Sequence, residues 1–105
     1  WLGLNSTSQA ITGDGSTSTA IDVTSAVTEV NATAGNAPCT IADGANGQIK
    51  TIINVSTGGT NNIVITPANL RGGTTITLNA IGETVTLIFK NSNWNVVGGF
   101  GFAVA

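Results

Sequence analysis

Residues 83–97 read Glu-Thr-Val-Thr-Leu-Ile-Phe-Lys-Asn-Ser-Asn-Trp-Asn-Val-Val, and this stretch decides the fold. Val85, Leu87 and Phe89 alternate with Thr84, Thr86 and Ile88, the period of two that a half-buried strand requires. Asn91-Ser92-Asn93 supplies a short polar turn, after which Trp94 to Val97 starts a second apolar run. Two alternating runs joined this way predict a β-hairpin.

Upstream the same grammar recurs. In Thr74 to Leu78, Ile76 and Leu78 face away from Thr75 and Thr77. Asn62 to Thr66 is a shorter run closed by Pro67, which cannot donate to a ladder. Gln48 to Val55 places Ile49, Thr51, Ile53 and Val55 on one face and Gln48, Lys50, Ile52 and Asn54 on the other, and ends in the turn signal Thr57-Gly58-Gly59. Before it, Gly35 to Pro38 reads as a loop, Cys39 to Ile41 as a short strand and Asp43 to Gly47 as a turn-rich link. Further back, Thr19, Ile21 and Val23 alternate with Ala20, Asp22 and Thr24. The run from Ala26 to Thr33 carries Val27 and Val30 out of strict two-residue register, which predicts a bend or bulge. No segment holds apolar residues at helical spacing, no linker divides the chain and no internal repeat stands out. The expectation is one all-β domain over residues 1–105: seven or eight short strands in an antiparallel sandwich or jelly roll, or a small barrel.

Composition agrees. Only 8% of the 105 residues are charged while 41% are hydrophobic, and Thr, Asn, Ser and 14 Gly fill the difference. Thr suits a pleated, half-buried surface, and Gly and Asn supply turns. A net charge of −2 leaves no basic stripe for a phosphate backbone, so nucleic acid is not an expected partner. No run of about 18 apolar residues could cross a bilayer, so no membrane partner is expected either.

Chemistry is thinly provided. His, Tyr and Met are absent, which removes the commonest general base and the commonest metal ligand. Cys39 has no nearby group to lower its pKa and reads as a small buried hydrophobe. Lys50 and Lys90 fall on positions read as solvent-facing, away from any Ser they might activate. Asp14 and Asp43 each precede a glycine, where aspartate stabilises a turn. The 43–47 loop offers one carboxylate where a calcium loop gathers several. Nothing beyond the presence of five acids supports a paired-carboxylate glycosidase. The expectation is a protein that is not an enzyme, with no catalytic residue, no metal and no cofactor.

The ends are more apolar than fraying termini should be. Trp1-Leu2-Gly3-Leu4 opens the sequence, and residues 98–105 include Phe100 and Phe102. Each end either completes the domain's own core or docks onto a neighbour, and aromatic anchors typically dominate such contacts. Trp1, Leu2, Leu4, Phe100 and Phe102 are therefore the candidate interface residues. Exposed strands are usually guarded by charge, and so uncharged a β surface favours closed, symmetric self-association.

The succession Thr40-Ile41-Ala42-Asp43-Gly44, Gly47-Gln48-Ile49-Lys50-Thr51-Ile52, Val64-Ile65-Thr66-Pro67-Ala68-Asn69-Leu70, Gly72-Gly73-Thr74-Thr75-Ile76-Thr77 and Thr86-Leu87-Ile88-Phe89, ending in Trp94 to Gly99, resembles a small β module in structural proteins of tailed bacteriophages, including phages of marine bacteria and cyanobacteria. Such modules occur in head decoration (cement) proteins and in fibre-like appendages, often as trimers. The resemblance covers roughly Thr40 to Gly99 and hands over no catalytic or binding residue. It implies a homotrimer on the exterior of a virion, with the major capsid protein of a phage head as partner. The alternative is a fibre or receptor-binding domain that recognises a host-surface glycan, for which Trp94 is the one tryptophan apart from the termini, and is itself read as core.

Overall fold

The computed structural model describes residues 8–13, 15, 17–57 and 62–105, and in them the chain forms ten strands and no helix. These are β1 Ser8–Gly13, β2 Thr19–Ile21, β3 Val27–Ala32, β4 Ala37–Ile41, β5 Ile49–Asn54, β6 Ile63–Pro67, β7 Ile76–Leu78, β8 Thr84–Lys90, β9 Asn93–Phe100 and β10 Ala103–Val104. They build two five-stranded sheets, ordered β1-β3-β5-β8-β9 and β10-β7-β6-β4-β2. The expected all-β, sandwich-like fold is present.

The pairing is mixed where an antiparallel arrangement was expected. From β1 to β6 the chain passes back and forth between the sheets, so β1, β3 and β5 stack in parallel in the first and β2, β4 and β6 in the second. Each return lays a strand on the one two elements earlier: Ile11 stands beside Val30, which stands beside Asn54, and Thr19 beside Cys39 beside Ile65. The strands β7 to β10 pair with their neighbours antiparallel.

Between the sheets lies one core. Ile11, Val30, Ala32, Ile52, Val85, Leu87, Phe89 and Trp94 project from the first sheet onto Ile21, Ala37, Cys39, Ile41, Ile63, Ile65, Ile76 and Leu78 of the second, all buried. Each large aliphatic among them contributes about 1.5–3 kcal/mol relative to exposure. Asn54 ties the sheets together, donating from Nδ2 to the carbonyl of Leu78 at 3.0 Å while its Oδ1 accepts the amide of Ser56 at 2.9 Å.

Local features follow from residue type. The β8–β9 hairpin closes through Asn91 and Ser92 at φ 52° and 64°, the left-handed pair that matches the twist of the flanking strands. The predicted irregularity in β3 is absent: Thr28, Val30 and Ala32 point inward in regular alternation. It lies instead in β9, where Leu87 faces Val96 and Thr86 faces Gly98, leaving Val97 as the extra residue of a bulge. Pro38 sits inside β4, not in a loop. The amide of Ala37 goes to Asn62, which turns the Pro38 nitrogen to the opposite side, where β2 begins only opposite Cys39. The turn read at Thr57-Gly58-Gly59 and the turn residue Asp14 fall wholly or partly outside the described residues, as do Trp1, Leu2 and Leu4.

The C-terminal segment passes from the edge of the first sheet to the edge of the second, where Ala103 and Val104 pair with Thr77 and Ile76. Gly99 makes this passage possible: its φ is 150°, and a Cβ there would stand 2.2 Å from the carbonyl oxygen of Thr84. Gly99→Ala is expected to destabilise the fold by about 1–3 kcal/mol. Gly98→Ala, whose Cβ would meet nothing, should shift the urea midpoint little. Equal midpoints for the two variants would refute this account of the crossing.

Candidate interaction surface

The polar groups at the first end of the sandwich serve the fold. Lys50 lies on β5 with no exposure, against the expectation that it faces solvent. Its Nζ donates to the Ser25 carbonyl at 2.7 Å and pairs with Asp22 Oδ1 at 3.3 Å. Asp22 also accepts the Ser25 amide at 2.9 Å and hydroxyl at 3.1 Å. Gln9 Oε1 accepts the Asp22 amide and the Thr28 hydroxyl, each at 2.9 Å, and Gln48 donates to the Val23 carbonyl. Burial pulls the Lys50 pKa down, opposed by the hydrogen bond and charge of Asp22. Burial pushes Asp22 the other way, but hydrogen bonds from Ser25 and Lys50, with the Lys50 charge, hold its carboxyl below the usual value. The network fixes the loop between β2 and β3, and its ammonium has no path to a substrate.

Among the described residues, Cys39, Asp43 and Trp94 are likewise occupied or closed off. Cys39 is buried, as expected, and desolvation pushes its thiol up to about 11, so at neutral pH it is not a nucleophile. Both carboxylate oxygens of Asp43 accept from Asn69 Nδ2, at 3.0 and 2.9 Å. Among the described residues no three His, Cys, Asp or Glu side chains gather to hold a metal. Trp94 is fully buried; its indole N–H is spent on the carbonyl of Ala42 at 2.9 Å, and Phe89 meets it edge-on with centroids 5.2 Å apart. It is a core residue and presents no face to a ligand.

Of the candidate interface residues within the described chain, Phe100 is 70% exposed, whereas Phe102 is partly buried against the domain's own core. The two aromatics therefore do different work. Phe102 helps close the sandwich. Phe100 stands free: Gly99 is opposite inward-facing Val85, so alternation puts the next residue on the outer side of the first sheet.

That outer face is the surface the sequence reading missed. Because Lys50, Ile52 and Asn54 point inward, Ile49, Thr51 and Ile53 point out, and Val55 beyond the strand follows them. Register then lines up Glu29, Ile53 and Thr84 in one row and Val27, Thr51 and Thr86 in the next, with Ile49 beside Ile88 below them. Thr51 and Thr86 hydrogen-bond through their hydroxyls at 3.0 Å. Ile49 and Val97 are exposed at 37% and 60%, and Ile53, Val55, Val27 and Ile88 are half-buried by their neighbours alone. Among the described residues the only charges on the face are Glu29 and Lys90. The plane is apolar and threonine-lined, with little charge.

Compared with protein families and with curated proteins, the chain gives no match.

Proposed function

We propose that this chain is a structural virion module, a decoration protein that binds the outer surface of a phage head as a homotrimer and stabilises it. The observation that carries the reading is the outer face of the first sheet, where Val27, Ile49, Ile53, Val55, Ile88 and Phe100 stand among threonines with two charges in all. Such a face gains from being covered, at about 25 cal/mol per Å² of apolar surface removed from water. The phage-module resemblance over Thr40 to Gly99 supplies the class of particle. Binding that favours the assembled shell stabilises it by mass action, and many symmetric copies add avidity.

The test is reconstitution. Purified protein is added to phage heads stripped of decoration, and bound copies and heat resistance are measured. Rebinding with restored heat resistance is expected, weakened at least about tenfold by Ile53→Glu, which places a charge in the apolar plane. Heads that neither bind the protein nor gain resistance would rule the reading out.

Recognition of a host glycan by a fibre-type domain rests on a different region. Asp43 and Asn69, and Arg71 bonded through Nε to Asn95 Oδ1 at 2.8 Å, present exposed polar groups near the β8–β9 hairpin, though with Trp94 buried beneath. Specific binding on a glycan array, lost in Asn69→Ala, would put this reading first.

A further inference from the structure

The charges that remain unpaired point to one kind of contact. Among the described residues Asp22 and Lys50 pair with each other, Asp43 is held by Asn69, Arg71 by Asn95, and Glu83 by the amide of Asn79 at 2.7 Å. Glu29 and Lys90 are left without a hydrogen bond or ion pair; they have opposite signs, and both stand on the outer face of the first sheet. Every other described charge on this charge-poor molecule is satisfied internally. The two exceptions share the outer face of the first sheet; that of the second, with Pro38, Thr40, Val64, Thr66 and Thr77, is also uncovered but carries no charge of its own.

Their placement sets the symmetry. Glu29 is in the row of Thr84, and Lys90 ends the same strand opposite Asn93, so the two lie roughly 20 Å apart along the strands and roughly 10 Å apart across them. A two-fold axis in the plane of contact and perpendicular to the line from Glu29 to Lys90 exchanges the two, bringing Glu29 of each copy over Lys90 of the other. The apolar row of Ile49, Ile53 and Ile88 then fills the space between the two ion pairs. A three-fold axis cannot lay this face on the same face of another copy, because only a two-fold contact uses one patch on both partners.

We propose that the outer face of the first sheet is a two-fold self-contact, occupied by the same face of a second copy. This rests on the reading that copies of the chain associate, and adds the face, the symmetry and the residues. Self-contact and decoration then compete for one surface, so the pair opens when the face is laid on a head. Five strands about 4.8 Å apart and about 20 Å long cover roughly 500 Å² per copy, or about 1,000 Å² in total, the lower end of specific interfaces. The association is therefore reversible and concentration-dependent.

Sedimentation equilibrium of the wild type, Glu29→Lys, Lys90→Glu and the double exchange tests it, with Trp94 fluorescence confirming that each variant is folded. Each single reversal places two like-charge pairs in the contact and is expected to weaken association about tenfold, and the double exchange to return it to within about threefold of wild type. In 1 M salt the differences should shrink. Single reversals without effect, or a double variant as weak as the singles, would overturn the contact. If the wild type forms an oligomer indifferent to these changes, the face is wrong while decoration by assembled copies stands. If it stays at 10.5 kDa yet binds stripped heads, self-contact falls and decoration survives; if it does neither, both fall.

Discussion

Trp94→Ala is expected to lower the unfolding free energy by about 3–5 kcal/mol, as truncation of the largest fully buried side chain among the described residues. The indole has no exposure, meets Phe89 edge-on and donates to the carbonyl of Ala42. Truncation removes the apolar area, opens a cavity the surrounding sheets cannot fully close, and loses the hydrogen bond to the Ala42 carbonyl. Domains of this size hold about 5–15 kcal/mol in total, so the variant sits close to unfolding at room temperature. Urea denaturation followed by circular dichroism measures the loss, and a change under about 1 kcal/mol would show that the ring is not part of the core. Trp94→Phe keeps most of the packing and should recover more than half of the deficit.

The second large effect is asymmetric, and the asymmetry is the informative part. Asp22→Ala leaves the buried Lys50 ammonium facing only the Ser25 carbonyl and strips the Ser25 amide and hydroxyl of their acceptor. Removing one partner of a buried pair costs about 3–5 kcal/mol; with Asp22 Oδ1 at a side-chain exposure of 36%, water lessens this to about 2–4 kcal/mol. Lys50→Met removes the buried charge itself and leaves Asp22 its bonds to Ser25 and to solvent, so it should cost less than half as much. Equal losses in the two variants would mean that the pair contributes only through its packing.

Acid acts on the same pair. The Asp22 carboxyl titrates below its ordinary 3.8 in the folded protein, so its contribution is complete above about that pH and is lost as the pH falls through the lower folded value. Lys50 has the opposite origin and the same sign: burial lowers its pKa from 10.5, so the folded state binds that proton less tightly than the unfolded chain and stability rises as the pH climbs from the folded value towards 10.5. Unfolding below pH 4 should therefore be steeper in the wild type than in a double Asp22→Ala, Lys50→Met variant.

How much of this was legible in the sequence depends on what two-residue alternation can encode. The hairpin of residues 84–97 was readable because its turn residues and both apolar rows are local, and Cys39 and Trp94 were readable as core. The sense of β5 was not. Alternation names two faces without saying which is inside, and the row containing Ile49, Ile53 and Val55 is the more apolar one. It faces out because Lys50 and Asn54 on the other row find partners at Ser25, Asp22 and Leu78, more than twenty positions away in sequence. Parallel stacking was hidden for a related reason. The ladder positions Ile11, Val30 and Asn54 differ in residue type, so the recurrence of the coil leaves no visible repeat.

The candidate surface was half legible. Phe100 could be picked out as an aromatic near an end, and it is the exposed one; Phe102, beside it, turns inward because the chain must cross to β7. Glu29 and Lys90 gave no local signal at all, since their meaning lies in every other described charge having a partner.

The central claim is that the outer face of the first sheet is covered by other molecules, beginning with copies of this chain. Light scattering on the purified chain from low to high concentration tests it most directly. A mass that rises above 10.5 kDa as concentration increases is the predicted result; a mass fixed at 10.5 kDa throughout would contradict it.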